Sequence, residues 1–156
     1  MEKEKTPQEQ YESLSFELPV FKQITEDFDI EKIFEKESSF LLRDIRHAIL
    51  EKITAYSQLF ETFQNPGSAP MFILNLLKNT TEEDKKIIQE LYDKLAKIQV
   101  DSIKLDTIYS ESNEAVFIKE TSDTWQGIKT KVLELVERLE KETSEETSST
   151  TRGYFG

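Results

Sequence analysis

The stretch IQELYDKLAKIQVDSIKLDTIY, residues 88–109, decides the fold class of this chain. Its apolar residues recur at intervals of three and four, the repeat that places them on one face of an α-helix. The spacing therefore predicts one long helix over residues 80–109, with an apolar seam that packs against other helices. The seam reads Ile88, Leu91, Leu95, Ile98, Ser102, Leu105 and Tyr109.

Two further segments, residues 112–142 and residues 39–64, repeat this spacing and are predicted as long helices. The short break SESN, residues 110–113, predicts that the helices on its two sides form an antiparallel hairpin. The seam of residues 112–142 reads Ile118, Thr121, Trp125, Ile128, Val132, Leu135 and Leu139. The seam of residues 39–64 reads Leu42, Ile45, Ile49, Ile53, Tyr56, Phe60 and Phe63.

The hairpin pattern also predicts which residues face each other. A turn near Glu111 puts Ser102 opposite Trp125, so that the smallest seam residue meets the largest. This pairing explains a serine on an apolar seam by volume matching. It also favours a core position for Trp125 over a role in ligand binding.

Shorter elements are predicted on either side of the helix over residues 39–64. Residues 6–38 form an N-terminal helical arm that opens with TPQE, a capping box at residues 6–9. Two prolines and a glycine in NPGSAP, residues 65–70, predict a turn. Residues 70–78 then form a short apolar helix, which we expect to be a plug buried between the longer helices.

Composition and charge narrow the class of protein. The chain has 156 residues, 33% of them charged and only four Gly and four Pro, which indicates a single all-α domain over residues 1–142. We expect an elongated antiparallel helical bundle.

No cysteine is present, which excludes disulfides, thiolate metal sites and cysteine nucleophiles. The net charge of −11 disfavours direct binding to nucleic acid, and no apolar run is long enough to span a membrane. We expect a cytoplasmic protein.

The residues that could support catalysis or metal binding are few. Phosphate-binding loops need clustered glycines, whereas Gly67 and Gly127 each stand alone and the other two glycines lie in the final segment. Asp44, His47 and Glu51 share one helical face and are potential metal ligands, but that face points away from the seam. The acidic residues are expected on solvated faces. We therefore predict no catalytic residue, no metal ligand and no cofactor, although a cleft formed in three dimensions remains an alternative.

The last residues, 143–156, form the segment TSEETSSTTRGYFG, in which Ser, Thr and Glu dominate. This composition predicts a disordered acidic tail, and the tail ends in two aromatic residues. Arg152, Tyr154 and Phe155 are candidate partner-binding residues, because aromatic and arginine side chains dominate binding hot spots. The alternatives are that the rings fold back onto the bundle or belong to a frayed end.

These features together predict a non-enzymatic protein-interaction or assembly module with a protein partner. A homo-oligomer formed through leftover apolar surface of the N-terminal arm is one version of this prediction. One alternative is a small carboxylate-based metal-binding protein or enzyme. A second is an acidic inhibitor of a basic protein, whose binding would weaken with salt.

The tail hypothesis predicts a difference between the full chain and a chain stopped after Ser149. If Arg152, Tyr154 and Phe155 bind a partner, affinity capture from lysate should retain a protein with the full chain that the shortened chain loses. Mass spectrometry of the captured proteins measures this. Identical captured sets would place binding elsewhere on the chain.

Overall fold

The computed structural model of this chain is all-α, which confirms the predicted fold class. It describes the backbone of residues 4–35 and 38–155, and the side chains of residues 4–31, 33 and 38–142. Within these residues there is no strand. The α-helices are α1 (Pro7–Glu12), α2 (Phe21–Phe28), α3 (Leu41–Gln64), α4 (Met71–Leu77), α5 (Glu82–Thr107) and α6 (Glu111–Phe155), with 3-10 helices at Ile30–Glu35 and Pro66–Ser68.

Helices α3, α5 and α6 form the centre of the bundle, and cross-helix contacts fix their directions. Arg46 near the start of α3 contacts Ser102 near the end of α5, whereas Gln64 at the end of α3 bonds Gln89 near the start of α5. These two helices are therefore antiparallel. Their predicted seam positions are buried, apart from Leu105 and Tyr56, which are partly buried, and Tyr109, which is exposed.

Helix α6 runs parallel to α3. Arg46 also bonds Glu114 in the first turn of α6, and the Tyr56 ring packs edge-on against Trp125, with 5.3 Å between ring centroids. All seven predicted seam residues of α6 are buried, Trp125 among them at 2% exposure. The prediction that Trp125 belongs to the core is confirmed.

The predicted register of the α5–α6 hairpin is wrong. Lys131 of α6 pairs with Glu90 of α5, whereas a turn near Glu111 would have placed residue 96 there, more than one helical turn away. The chain in fact turns earlier, because α5 ends at Thr107.

The predicted pairing of Ser102 with Trp125 is also wrong. Ser102 lies beside Arg46 and Trp125 beside Tyr56, ten residues further along α3, which is about 15 Å of helix. The serine therefore accommodates a guanidinium group, not an indole.

Capping boxes begin two of the helices. Thr6 and Glu9 exchange hydrogen bonds at the start of α1, as predicted. Thr81 and Asp84 form the box of α5, with hydrogen bonds of 3.0 and 3.1 Å. Asp84 Oδ1 also accepts a hydrogen bond from Arg138 of α6. The helix cap and the contact between α5 and α6 therefore share one carboxylate.

The N-terminal arm attaches to the bundle through α2. The Asp27 carboxylate accepts hydrogen bonds from Gln126 Nε2 at 2.8 Å and Lys129 Nζ at 3.0 Å, and the ring of Phe28 lies 5.7 Å from that of Trp125. Phe28 and Asp27, at the end of α2, therefore lie against α6. Tyr11, Ile24, Phe28 and Ile30 are buried, and Val20 is the one large apolar residue that is exposed among the described side chains of the arm.

The backbone of α6 is helical as far as Phe155. The sequence predicts a disordered tail from residue 143, so the two descriptions differ for this stretch. Extending a helix that already exists fixes one residue per hydrogen bond and needs no new nucleus, which favours continuation from the long seam of α6. The disorder and the binding role of the tail both stay predictions.

A buried polar layer joins the three central helices at one level. Arg46 is completely buried, and so is Glu114, although the acidic residues were expected on solvated faces. Arg46 Nε donates to Glu114 Oε2 at 2.6 Å, and Nη2 donates to Glu114 Oε1 at 3.1 Å. This arrangement is the two-pronged pairing that suits a guanidinium group and a carboxylate.

The remaining donors of Arg46 bond to α5. Nη1 donates to Ser102 Oγ at 2.6 Å and to the Ser102 carbonyl at 3.4 Å, and Nη2 donates to Asp106 Oδ1 at 2.8 Å. All five N–H donors of the guanidinium thus have acceptors. Burial alone would lower the pKa of Arg46, but its hydrogen bonds to Glu114 and Asp106 outweigh burial and raise that pKa above its ordinary value. Arg46 is therefore charged in the folded protein.

Removing Glu114 should destabilise the fold strongly. Glu114→Ala leaves a buried guanidinium without its main counter-charge, which costs about 3–5 kcal/mol of unfolding free energy. The matched control is Glu90→Ala, which breaks the exposed pair with Lys131 and should cost less than about 1 kcal/mol. Urea unfolding of both variants measures the difference. Equal, small losses would contradict a structural role for the buried pair.

Candidate protein-interaction surfaces

Helix α4 carries the most exposed pair of neighbouring apolar residues in the described part of the chain. Met71 and Phe72 are each 69% exposed, and Leu74 is also exposed. We call these three residues the α4 surface. Ile73 is the one fully buried residue of this helix, so the prediction that it is a buried plug is wrong.

The position of α4 follows from its sequence. The turn over residues 65–70 follows the end of α3, and the seven residues of α4 are too short to cover the bundle on more than one side. Ile73 is held in the core, with Leu76 and Leu77 partly buried beside it. An almost wholly apolar helix that buries only one face must leave apolar side chains on the other faces.

Next to α4 the surface is concave. A groove of about 550 Å³ lies between the end of α3, the end of α4 and the start of α5, and we call it the α4 groove. Apolar side chains from all three helices contribute to its walls, with glutamine and lysine side chains among them. The lining residues are Phe63, Gln64, Pro66, Leu77, Thr80, Lys85, Ile88 and Gln89.

A second exposed cluster lies where α5 meets α6. The rings of Phe40 and Tyr109 pack edge-on with 5.3 Å between centroids, and the Arg43 guanidinium lies 4.3 Å from the Phe40 ring centre. Ile108, between Tyr109 and the end of α5, is 74% exposed. Phe40, Arg43, Ile108 and Tyr109 form the hairpin-end surface. Arg46 on the same helix as Arg43 fixes this end of the hairpin through Asp106.

The three potential metal ligands lie together in another groove. This arm groove has a volume of about 740 Å³ and runs between the arm and α3. His47 is half exposed, as predicted, and its Nε2 lies 3.6 Å from Asp106 Oδ1 on α5. No group of three or more His, Asp or Glu side chains that could hold a metal occurs within the described residues. The arm groove is lined by Phe28, Asp29, Ile33, Asp44, His47, Ala48, Glu51 and Lys52.

The candidate partner-binding residues Arg152, Tyr154 and Phe155 lie outside the described side chains. Their binding role is therefore still a prediction, and the described surfaces are ones that the sequence reasoning missed. A signal for the α4 surface was present in the sequence. Residues 71–77 are almost entirely apolar, so a helix that buries only one face must expose some of them. The pattern alone could not say which faces stay open.

Comparison with protein-family models, curated proteins and solved structures found no match for this chain.

Among the described residues, no helix combines the length and the apolar character needed to cross a membrane.

The polar contacts of Asp106 predict a pH-dependent stability. The hydrogen bond from Arg46 holds the pKa of Asp106 below its ordinary value, against the opposing effect of partial burial. A lowered folded-state pKa contributes stability above the unfolded-state pKa of about 4, and that contribution is lost as pH falls through the folded-state value.

Asp106→Asn should therefore lower the melting temperature at pH 7, and the difference from the wild type should shrink as the pH falls below about 4. Thermal unfolding followed by circular dichroism over this pH range measures the effect. A difference between the two proteins that stays constant at all pH values would show that the carboxylate charge does not contribute.

Proposed function

We propose that this chain is a non-enzymatic protein-interaction or assembly module that binds through the α4 surface. The observation that supports this most directly is the 69% exposure of both Met71 and Phe72. Full burial of one large apolar side chain contributes about 1.5–3 kcal/mol, so a partner that covers this pair gains a useful part of its binding free energy. Contiguous exposed apolar residues are typical of sites that another protein covers.

The chemistry of the surrounding surface supports association with protein. Thr62 to Leu77 is a run of sixteen residues without a charge, in a chain in which 33% of residues are charged. Interface centres are depleted in charged residues and enriched in aromatic residues and methionine, which is the composition found here. A partner that fits this surface has an apolar centre of its own.

A second candidate is binding of a basic protein, and the arm groove favours it. Asp29, Asp44 and Glu51 contribute three carboxylates to this groove. Lys52 also lines the groove, and its ammonium donates to the Asp27 carbonyl and lies 5.4 Å from the Trp125 ring centre. Binding there should weaken steeply as salt rises, whereas binding at the α4 surface should not.

The test compares two glutamate variants placed on different exposed apolar residues. Phe72→Glu puts a charge in the centre of the α4 surface, and Ile108→Glu puts one in the hairpin-end surface at a similarly exposed position. Both should keep the stability of the wild type within about 0.5 kcal/mol, because both sites face solvent. Affinity capture and mass spectrometry should then show proteins lost from Phe72→Glu and kept by Ile108→Glu.

The opposite pattern, or no difference between the variants, would reject the α4 surface as the binding site. Loss of a captured protein only at high salt, with both variants equal to the wild type, would favour the basic-partner candidate.

A further inference from the structure

We infer that the occupant of the α4 surface is a second copy of this chain, whose α4 groove receives Phe72, so that two copies form a symmetric dimer. This inference rests on the proposed function and names the partner for the same surface.

The first argument is that one short helix supplies both the projecting residues and part of the cavity wall. Helix α4 presents Met71 and Phe72 at its start and supplies Leu77, at its end, to the wall of the α4 groove. A two-fold axis makes each contact twice, because a residue that enters the groove of the partner has its own groove filled in return. A surface of this kind is complementary to itself.

The second argument is that the groove suits an aromatic side chain. Phe63 and Ile88 are largely buried core residues that reach this surface, and together with Leu77 they supply apolar contacts. The volume of about 550 Å³ is in the range of pockets that hold a compact apolar group. Lys85 and the hydrogen-bonded pair of Gln64 and Gln89 supply the polar part of the lining.

The third argument is electrostatic. Each copy carries a net charge of −11, so two copies repel each other over most of their surfaces. The uncharged run from Thr62 to Leu77 contributes both the projecting residues and part of the groove wall. The lining of the α4 groove contains no acidic residue, and Lys85 is its one charged residue. Contact there therefore brings the two copies together away from most of their carboxylates.

The fourth argument is area. Large apolar side chains such as Phe present roughly 150–250 Å² each, and Met71 and Phe72 are 69% exposed on each copy. Counting both copies and the groove walls that they cover, the contact buries on the order of 1,000 Å², the lower limit for a specific interface. We therefore expect a reversible dimer.

Analytical ultracentrifugation of the full chain from about 1 µM to about 1 mM, the affinity range of a small interface, tests the assembly. The wild type should shift from monomer to dimer as concentration rises. Phe72→Glu should raise the dissociation constant at least about 30-fold, the effect of losing a hot-spot residue. Ile108→Glu, the matched control, should change it less than about 3-fold.

The absence of cysteine in this chain allows a test of the contact itself. Chains carrying Met71→Cys and chains carrying Gln64→Cys are mixed and oxidised, which keeps Phe72 intact in both. A disulfide forms readily only when the two Cα atoms come within about 7 Å. The mixture should cross-link between chains, and a control mixture of Ile108→Cys with Gln64→Cys should not.

Three results would overturn the dimer. The first is a wild type that stays monomeric over the whole concentration range, and the second is equal cross-linking in the two mixtures. The third is dimerisation that appears only after residues 143–156 are removed, which would mean that the chain covers α4 with its own final segment.

Failure of the dimer is distinguishable from failure of the proposed function. A monomeric wild type that still captures a protein dependent on Phe72 rejects the second copy as occupant and keeps the interaction module. If the wild type is monomeric and the Phe72→Glu variant captures the same proteins as the wild type, both the dimer and the proposed function are rejected.

Discussion

A buried guanidinium group is the constraint on which the central bundle depends. Arg46 has no contact with solvent, and its charge must be compensated where it lies, because an unpaired ion in the interior costs several kcal/mol. The compensation comes from two other helices, with Glu114 on α6 and Ser102 and Asp106 on α5. Sliding any one helix by a turn would separate these partners. The polar layer therefore fixes the alignment of three helices whose apolar seams would tolerate other alignments.

The same layer helps to explain where the exposed apolar surfaces lie. Arg46 holds the hairpin end to the start of α3, and apolar side chains of all three helices form one core along the rest of α3. Helix α4 packs against these helices on one face and buries Ile73 there. Met71, Phe72 and Leu74 are left at the surface. In this arrangement the α4 surface is the apolar part of α4 that the core leaves uncovered.

Most of the core could be predicted from the sequence, and the polar layer could have been. Ile88, Leu95 and Trp125 follow from spacing alone, because a repeat of three and four residues has one physical outcome on a helix. Arg46 lies four residues after Leu42 and three before Ile49, so it occupies a seam position. Glu114 extends the α6 seam in the same way, four residues before Ile118. Each seam thus carries a polar residue, Arg46, Ser102 or Glu114, and reading these three interruptions together would have indicated a shared layer.

The sequence by itself determined the three long helices, their buried faces and the capping box of α1, because these depend on residues close together along the chain, and it determined the absence of cysteine chemistry by composition. Only the tertiary structure decided the register of the hairpin, the neighbour of Ser102 and the exposure of α4. These depend on which residues of distant helices lie at the same level, and apolar packing alone allows several answers. The pairing of Arg46 with Glu114, residues 68 positions apart, selects one of them.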